Sequence, residues 1–396
     1  MLVTHLTLRL ALTLFFVHCM PAFAAPAPSG PITPSPPQLH ANSWVLMDAV
    51  SGNIITSHDA REHLPPASLT KLMTVYAATN EIQAGRLKPE DRVTISENAW
   101  HTEGSRMFLD PRSQVSVHDL LRGIVIDSGN DASVALSEHI AGSEDSFAGL
   151  MNVTARRLGL EDTHFMNPTG LPAPEHYSSA GDMAKLARAI IIDESAYYPL
   201  YKQKHFTWNG IRQPNRNLLL WRDNSVDGLK TGHTEAAGYC MVTSAVRDGR
   251  RLITAVFGST SKINRANDAE KLLTYGFRFF DTQTYAKAAE VMANPRLWKG
   301  KERTVAVGIL DDISLTLPKD KDRKVETRMT IDQPLVAPIA SGAVVGSVAL
   351  YDGEQKLVTR PLIALQEEAI GGWWKRAWDS LRLFFLKTFN SERWAQ

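Results

Sequence analysis

Apolar and alternating runs predict a group of β-strands in the first two thirds of the chain. The strands predicted in this way are 44–47, 54–56, 226–234, 238–246 and 251–257. Ser51-Gly52-Asn53 joins the first two as a hairpin turn, and Asp248-Gly249 forms a turn between the last two. The pattern therefore predicts at least two pairs of neighbouring strands.

Apolar residues at helical spacing predict helices in the same region and just after it. These helices are 117–126, 132–140 and 269–280. A further helix is predicted after Pro65-Pro66, which ends the incoming segment, and Ser68 is placed at its N-terminus. Its helical pattern is carried by Leu72, Met73, Tyr76 and Ala77.

The chain changes character from residue 282 onward, where short alternating runs are separated by turns rich in Asp, Lys, Pro and Gly. These runs are 303–309, 325–331, 344–350 and 356–365. They predict a small all-β domain over residues 282–367. None of its residues forms a convincing catalytic cluster, so we expect it to serve as a spacer or stand.

Residues 373–389, within a C-terminal segment 368–396, predict an amphipathic helix. At about 100° per residue, one side collects Trp373, Trp374, Ala377, Trp378, Leu381, Phe384, Phe385 and Phe389. The other side carries Lys375, Arg376, Asp379, Arg382 and Lys387, with Leu383 and Leu386 as apolar exceptions. Because five charges exclude a spanning helix, the pattern favours a helix lying in the membrane interface. A terminal helix packed on its own protein is the alternative.

The first residues have the features of a secretory signal peptide over residues 1–24. Arg9 precedes an apolar stretch, 10–16, and Ala22-Phe23-Ala24 has the small-x-small form of a cleavage site. An uncleaved anchor is the alternative, but the stretch is short for a membrane span. We expect the mature chain to begin near Ala25 with a Pro-rich spacer, 25–41, and to retain Cys240 alone, which excludes an intramolecular disulfide.

The charge is balanced, with 43 basic and 42 acidic residues in 396. A chain without basic runs, apart from its C-terminus, is not expected to bind nucleic acid. The sequence has no zinc-ligand spacing, no phosphate-cradling glycine loop and no G-x-S-x-G elbow. It therefore implies neither a metal nor a cofactor.

Three short motifs carry the candidate chemistry: Ser68-Leu69-Thr70-Lys71, Ser128-Gly129-Asn130 and Lys230-Thr231-Gly232. They supply a hydroxyl nucleophile, an amine to accept its proton, a second hydroxyl with an amide, and a second amine beside a strand edge, which together suit acyl transfer through a serine ester. On a helix, positions i and i+3 share a face, so Lys71 can reach Ser68. A second S-x-x-K at Ser259 follows a strand and lacks a helical pattern.

This ordered set resembles the penicillin-recognising serine transferases and hydrolases, and within them the low-molecular-mass penicillin-binding proteins, the D-alanyl-D-alanine carboxypeptidases. The segments that carry the resemblance are 66–73, 128–132 and 227–234, and the similarity extends from about Asn42 to the C-terminus. It implies an α+β transpeptidase domain over 42–281, with a helical cluster against an antiparallel sheet. It likewise implies the small β domain and a C-terminal anchor.

The hypothesis that follows is hydrolysis of the bond between the two terminal D-alanines of a peptidoglycan stem peptide, with penicillins and other β-lactams as covalent inhibitors. Ser68 would be the nucleophile and Lys71 its base, made neutral by burial and by Lys230 as a neighbouring cation. Ser128 would relay a proton, and Asn130 would hold the substrate amide and Lys71. The resemblance adds the His233 amide to that of Ser68 in an oxyanion hole.

The terminal carboxylate of the substrate needs cationic and hydroxyl donors. The third motif offers Lys230, Thr231 and Thr234, and Gly232 would let the substrate approach the backbone. The resemblance adds Arg216 and Arg265.

Three alternatives remain at this stage: a β-lactamase, an endopeptidase that cuts cross-links, and a non-catalytic cell-wall scaffold. Gly129 stands where β-lactamases usually carry Asp, and no Glu-x-x-x-Asn lies between the second and third motifs. The sequence predicts export across the inner membrane and a peripheral position on its periplasmic face.

Overall fold

A computed structural model describes residues 33–320 and 323–389. The predicted signal peptide, 1–24, and the first part of the spacer lie outside the described residues. The helices are α1 (Lys71–Gln83), α2 (Glu97–His101), α3 (Val117–Arg122), α4 (Asn130–Ala141), α5 (Glu144–Arg157), α6 (Ala180–Asp193), α7 (Leu219–Arg222), α8 (Lys262–Phe279) and α9 (Trp373–Phe389). Short 3₁₀ turns cover Ala67–Thr70 and Tyr198–Lys202, and a π turn covers Gly123–Asp127.

The strands up to α8 form one five-stranded antiparallel sheet and two small two-stranded sheets, β3-β4 and β5-β6. They are β1 (Ser43–Asp48), β2 (Ile54–His58), β3 (Arg92–Thr94), β4 (Gln114–Ser116), β5 (His205–Trp208), β6 (Ile211–Pro214), β7 (Val226–Thr234), β8 (Gly238–Arg247) and β9 (Arg250–Ser259). The large sheet has the order β2-β1-β9-β8-β7, so the strand that carries Lys230 lies at its edge. The expected antiparallel sheet and both predicted turns are confirmed.

The sheet is buried on both faces because neighbouring residues on a strand point to opposite sides. On β1, Val45 and Met47 pack into a core with the helices that precede β7, while Trp44 and Leu46 pack against α8. The central strands β8 and β9 are almost wholly buried, which explains their nearly continuous apolar sequence. The result is a helical layer on one face of the sheet and α8, together with the short α7, on the other.

Three sequence predictions about helices need correction. Ser68 does not cap a helix: it lies in the Ala67–Thr70 3₁₀ turn, and α1 begins at Lys71. The predicted helix 117–126 is divided, because the π turn Gly123–Asp127 follows α3. The last helix of the catalytic region begins at Lys262 and not at 269, and Ser261 caps it through the N–H of Asn264.

The C-terminal part is rich in strands, as predicted. They are β10 (Phe280–Ala286), β11 (Leu297–Trp298), β12 (Val307–Gly308), β13 (Ile313–Pro318), β14 (Val325–Ile331), β15 (Leu335–Val336), β16 (Val344–Asp352) and β17 (Gln355–Ala364). The order β12-β17-β16-β14 forms its main sheet. The predicted run 303–309 is strand only at β12, and β10, β11, β13 and β15 lie outside all of the predicted runs. Side-chain hydrogen bonds join this part to β1 and its turn, from Thr282 to Asp48 (2.5 Å) and between Ser51 and Thr316 (2.7 Å).

Helix α9 has the predicted bounds and places its polar side against the β-rich part. Asp379 is buried and accepts the Lys299 N–H at 2.8 Å, while Lys375 donates to the carbonyl of Gly300 at 2.5 Å. Leu383, an apolar exception on the polar side, is buried there too. The aromatic side stays exposed: Trp373 63%, Trp374 72%, Trp378 60%, Leu381 48%, Phe384 64% and Phe385 51%. The Phe389 side chain lies outside the described residues.

Candidate active site

The first motif places a lysine amine beside a serine hydroxyl. Lys71 Nζ donates a hydrogen bond of 3.1 Å to Ser68 Oγ and a second, of 2.5 Å, to the Thr169 carbonyl. The 3₁₀ turn at Ala67–Thr70 runs directly into α1, so the two residues still lie one turn apart on the same side. The predicted contact between Lys71 and Ser68 is therefore present, although the local structure differs from a capped helix.

Lys71 has a pKa suited to a base near neutral pH. Its side chain is 1% exposed, and burial together with the charge of Arg216 lowers its pKa from 10.5 to about 7. We expected Lys230 to be the cation responsible, but Arg216 acts on Lys71 more strongly. Burial and the charge of Lys71 also lower the pKa of Lys230, so Lys230 releases its proton more readily than a free lysine does.

The second motif forms the link between the π turn and α4. Ser128 has φ 62°, a left-handed conformation that turns the chain sharply before Asn130 opens the helix. Asn130 Nδ2 donates to the Glu103 carbonyl at 2.5 Å. The expected contact of Asn130 with Lys71 is thus not formed, because the amide is turned toward the 103–105 loop. Its Oδ1 is buried without a hydrogen-bond partner among the described residues.

The third motif brings the second amine to the second hydroxyl. Lys230 Nζ donates to Ser128 Oγ at 2.8 Å and to the Thr231 carbonyl at 3.1 Å. Lys230 is buried, and burial is the main cause that holds its pKa well below the usual value. The site therefore contains two lysine–serine pairs. One is built by local spacing, and the other joins residues that lie 102 positions apart in the sequence.

The edge of β7 lies against the nucleophile. A Cβ on Gly232 would come within 2.9 Å of the Pro66 carbonyl oxygen and 3.2 Å of the Ser68 nitrogen. A glycine is therefore needed at position 232 because β7 packs closely against the Ser68 turn. In the sequence analysis, only substrate approach is given as the reason for this glycine. The next residue, His233, is exposed and stacks on Tyr239, with 4.0 Å between ring centroids. The Thr234 hydroxyl accepts the Ala237 N–H at 3.1 Å.

A cavity of about 830 Å³ opens over these residues. Its lining includes Ser68, Ser128, Thr231, Gly232, His233, Arg216 and Arg265. Arg265 is buried and donates to the Gly232 carbonyl at 3.0 Å, while Arg216 donates to Ser105 Oγ at 2.7 Å. Burial lowers the pKa of Arg265 to about 10, which leaves it cationic near neutral pH. Both arginines that the resemblance suggested thus reach the cavity.

Sequence reasoning missed several lining residues: Gly104, Ser105, Trp221, Tyr239 and Lys262. Ser105 also accepts the Asn130 N–H through its carbonyl at 2.7 Å, so it contacts both the second motif and Arg216. Nothing in its local sequence distinguishes it from other loop serines. Within the described residues, no group of His, Cys, Asp and Glu could hold a metal ion.

Comparison with known proteins gives the same result in both parts of the chain. Residues 31–261 match the D-alanyl-D-alanine carboxypeptidase family, and residues 280–369 match the C-terminal domain of penicillin-binding protein 5. The D-alanyl-D-alanine carboxypeptidase DacC of Escherichia coli is 42% identical over 384 residues, which cover 95% of each protein.

Solved structures agree with the family match. Penicillin-binding protein 5 from Haemophilus influenzae has 41% identity and a TM-score of 0.81, covering 85% of this chain and 99% of that one. Penicillin-binding protein D2 from Listeria monocytogenes, in its ampicillin-bound form, has 27% identity and a TM-score of 0.56, covering 61% of this chain and 98% of that one. Together with the motifs, these matches confirm the resemblance: the chain belongs to the D-alanyl-D-alanine carboxypeptidase family of serine hydrolases, among the penicillin-binding proteins.

Proposed function

We propose that the protein removes the terminal D-alanine from peptidoglycan stem pentapeptides through an ester on Ser68. The observation that carries this proposal is the pair of lysine–serine hydrogen bonds, 3.1 Å for Lys71 with Ser68 and 2.8 Å for Lys230 with Ser128. Both serines line one cavity. This arrangement supplies one hydroxyl to attack a carbonyl and another to deliver a proton to the leaving group.

In the acylation step, Ser68 Oγ attacks the carbonyl carbon of the penultimate D-alanine while neutral Lys71 takes its proton. The N–H groups of Ser68 and His233 stabilise the negative oxygen that forms. The closeness of Gly232 to the Ser68 nitrogen supports this role, because it brings the strand and the nucleophile turn together. Arg216, Arg265, Thr231 and Thr234 receive the terminal carboxylate.

Acylation is complete when the carbon–nitrogen bond breaks: the leaving amine takes the Ser128 proton, and a proton from Lys230 replaces it on Ser128. Asn130 Oδ1, which lacks a partner among the described residues, is available to accept a substrate N–H. In the second half of the reaction, Lys71 passes the proton taken from Ser68 on to Lys230, which restores both amines to their starting states. Water then adds to the ester carbonyl while Lys71 takes one of its protons, and Lys71 gives that proton to Ser68 Oγ as the ester carbon–oxygen bond breaks. The shortened peptide leaves with a new carboxylate, whose proton goes to solvent. A β-lactam follows the same first step and remains attached to Ser68 as an acyl ester.

The test is release of D-alanine by the purified protein from residue 25 onward, offered a soluble peptide ending in D-Ala-D-Ala. Cross-linked and uncross-linked muropeptides are offered in parallel. We expect D-alanine from the uncross-linked peptides. Cleavage of cross-links without release of D-alanine would contradict the proposal and favour an endopeptidase, and rapid turnover of penicillin would favour a β-lactamase.

The proposal extends to location. The signal-like residues 1–24 support export, and α9 supports a peripheral position on the periplasmic face of the inner membrane. No helix in the described ranges is both long and apolar enough to cross a bilayer. The polar side of α9 is used for packing on the β-rich region, which leaves its aromatic side to face lipid headgroups. The β-rich region, 282–367, then serves as the stand between the membrane and the catalytic domain.

A further inference from the structure

Asp127, directly before Ser128, is a buried acid that the reaction described above does not use. Its side chain is 1% exposed, and neither carboxylate oxygen has a hydrogen-bond partner among the described residues. A buried carboxylate without hydrogen bonds is costly, so it needs nearby charges to be retained in ionised form.

Cations on separate elements supply those charges. Arg216, which lines the cavity, favours the ionised form of Asp127 most, followed by Arg122 on α3 and Lys230 on β7. The effect is mutual, because Asp127 also favours the cationic forms of Arg216 and Lys230. Asp131, on α4, opposes its ionisation.

Asp131 is a second buried acid close to Asp127, and its carboxylate is hydrogen-bonded to backbone N–H groups. Its carboxylate accepts the N–H groups of Met107, Phe108 and Leu109 at 2.8, 2.9 and 3.2 Å. The carboxylate of Asp127 accepts no such hydrogen bond within the described residues. Burial is the main cause that raises its pKa from 3.8 to about 7, so it changes charge close to neutral pH.

We propose that Asp127 is the resident counter-ion of Arg216, and that the carboxylate of the substrate competes with it for this cation, so that binding is coupled to proton uptake by Asp127. The inference rests on the proposed function, since it takes the ligand to be a peptide with a free terminal carboxylate. Asp127 is then a positioning residue that acts on the substrate through Arg216.

The direction of the effect follows from linkage. A bound carboxylate beside Arg216 repels ionised Asp127, so the pKa of Asp127 is higher in the complex than in the free protein. Below about pH 7 the acid is already neutral and does not compete. Above that pH the affinity for a carboxylate ligand falls, because Asp127 must first take up a proton.

The test compares the protein that retains Asp127 with the Asp127→Asn variant, both in a Ser68→Ala background, which removes turnover. The probes are an acetylated peptide ending in D-Ala-D-Ala and the same peptide with a C-terminal carboxamide, and ligand-observed NMR gives the dissociation constants from pH 6 to 8.5. Lys71 titrates in the same range in both proteins, so its contribution cancels in the ratio. Asp110→Asn, an exposed acid on the neighbouring loop, is the control for the change in net charge.

Between pH 6 and 8.5, we expect the affinity for the acid peptide to fall about tenfold more in the protein that retains Asp127 than in the Asp127→Asn variant, which corresponds to a pKa of Asp127 about 1 higher in the complex than in the free protein. The pH dependence of the Asp127→Ala variant should match that of Asp127→Asn, and the pH dependence of Asp110→Asn should match that of the protein that retains Asp127. The affinity for the carboxamide peptide should change with pH to the same extent in all of these proteins. Equal pH dependence with and without Asp127, in an enzyme that releases D-alanine, would overturn this inference alone. An enzyme that releases none would overturn the proposed function and this inference with it.

Discussion

Lys230 Nζ lies 2.8 Å from Ser128 Oγ, although 102 residues separate them along the chain. Lys71 makes the equivalent contact with Ser68, at 3.1 Å, across only three residues. The Lys230–Ser128 pair depends on the fold that brings the edge strand β7 close to Ser128, whereas the Lys71–Ser68 pair depends only on the 3₁₀ turn that leads into α1. A reaction that needs both pairs therefore depends on the tertiary fold as well as on the first motif.

The nucleophile can be identified by covalent labelling. Ser68→Ala should abolish labelling by a fluorescent penicillin, since the ester can form on only one hydroxyl. Ser259→Ala is the matched control, because it lies in the second S-x-x-K but its hydroxyl donates to Asp268 at 2.7 Å. The control should lose some thermal stability and still label. Labelling that survives Ser68→Ala would show that another residue is acylated.

The role of Lys71 predicts both a rate and a pH profile. Because its pKa is about 7, the neutral form increases as pH rises from 6 to 8, and acylation by penicillin should speed up over that range and then level off. Lys71→Ala should lower the rate at saturating penicillin by about 10²-fold or more and remove this rise. Stopped-flow acylation measures both.

Lys356→Ala, an exposed lysine on β17, controls for loss of one positive charge. It should retain the parental rate and profile. A Lys71→Ala protein that acylates at the parental rate would refute the assignment of Lys71 as base.

The sequence anticipated what depends on short spacing or on strand periodicity. The Lys71–Ser68 contact, the full span of β7 and the bounds of α9 are of this kind. It missed the start of α8 because the first turns of that helix bury polar groups: Arg265 bonds to the Gly232 carbonyl and Asp268 to Ser259. A helix buried through such contacts shows little apolar periodicity.

Contacts made by loops could not be predicted from the sequence either. Ser105 meets Arg216 across 111 residues, and nothing local marks it as a partner. The two faces of α9 were assigned correctly from their residues, but which face packs on the protein was not evident, since Asp379 and Leu383 are buried together on the polar side.

Glu194 predicts a pH dependence of stability that is separate from catalysis. Its side chain is 1% exposed and accepts a hydrogen bond from Thr79, and burial raises its pKa from 4.5 to about 8. The folded state therefore binds this proton more tightly than the unfolded chain does. Its contribution to stability is full below about pH 4.5 and is lost as pH rises through about 8.

Glu194→Gln keeps the size and an oxygen for Thr79 but cannot ionise. The variant should melt near the parental temperature at pH 5 and at least about 2 °C higher at pH 8.5, which is what about 1 kcal/mol gives in a domain of this size. Glu62→Gln, an exposed glutamate, should show no such gain. Scanning calorimetry at the two pH values decides the matter: a gain of equal size at both would mean that ionisation of Glu194 is not the cause.

The final prediction separates the aromatic side of α9 from its packing side. Replacing Trp374, Trp378 and Phe385 by Ser removes exposed apolar area without changing charge, and the contacts of Lys375 and Asp379 with the β-rich region remain. If the aromatic side lies in the membrane interface, the variant should stay in the supernatant when vesicles of anionic lipid are pelleted, whereas the parent should pellet with them.

Both proteins should release D-alanine from a soluble peptide at similar rates, because the catalytic motifs lie elsewhere in the fold. Truncation after Gly372 should also abolish vesicle binding. Vesicle binding that survives the triple replacement would show that the aromatic side of α9 is not the membrane contact.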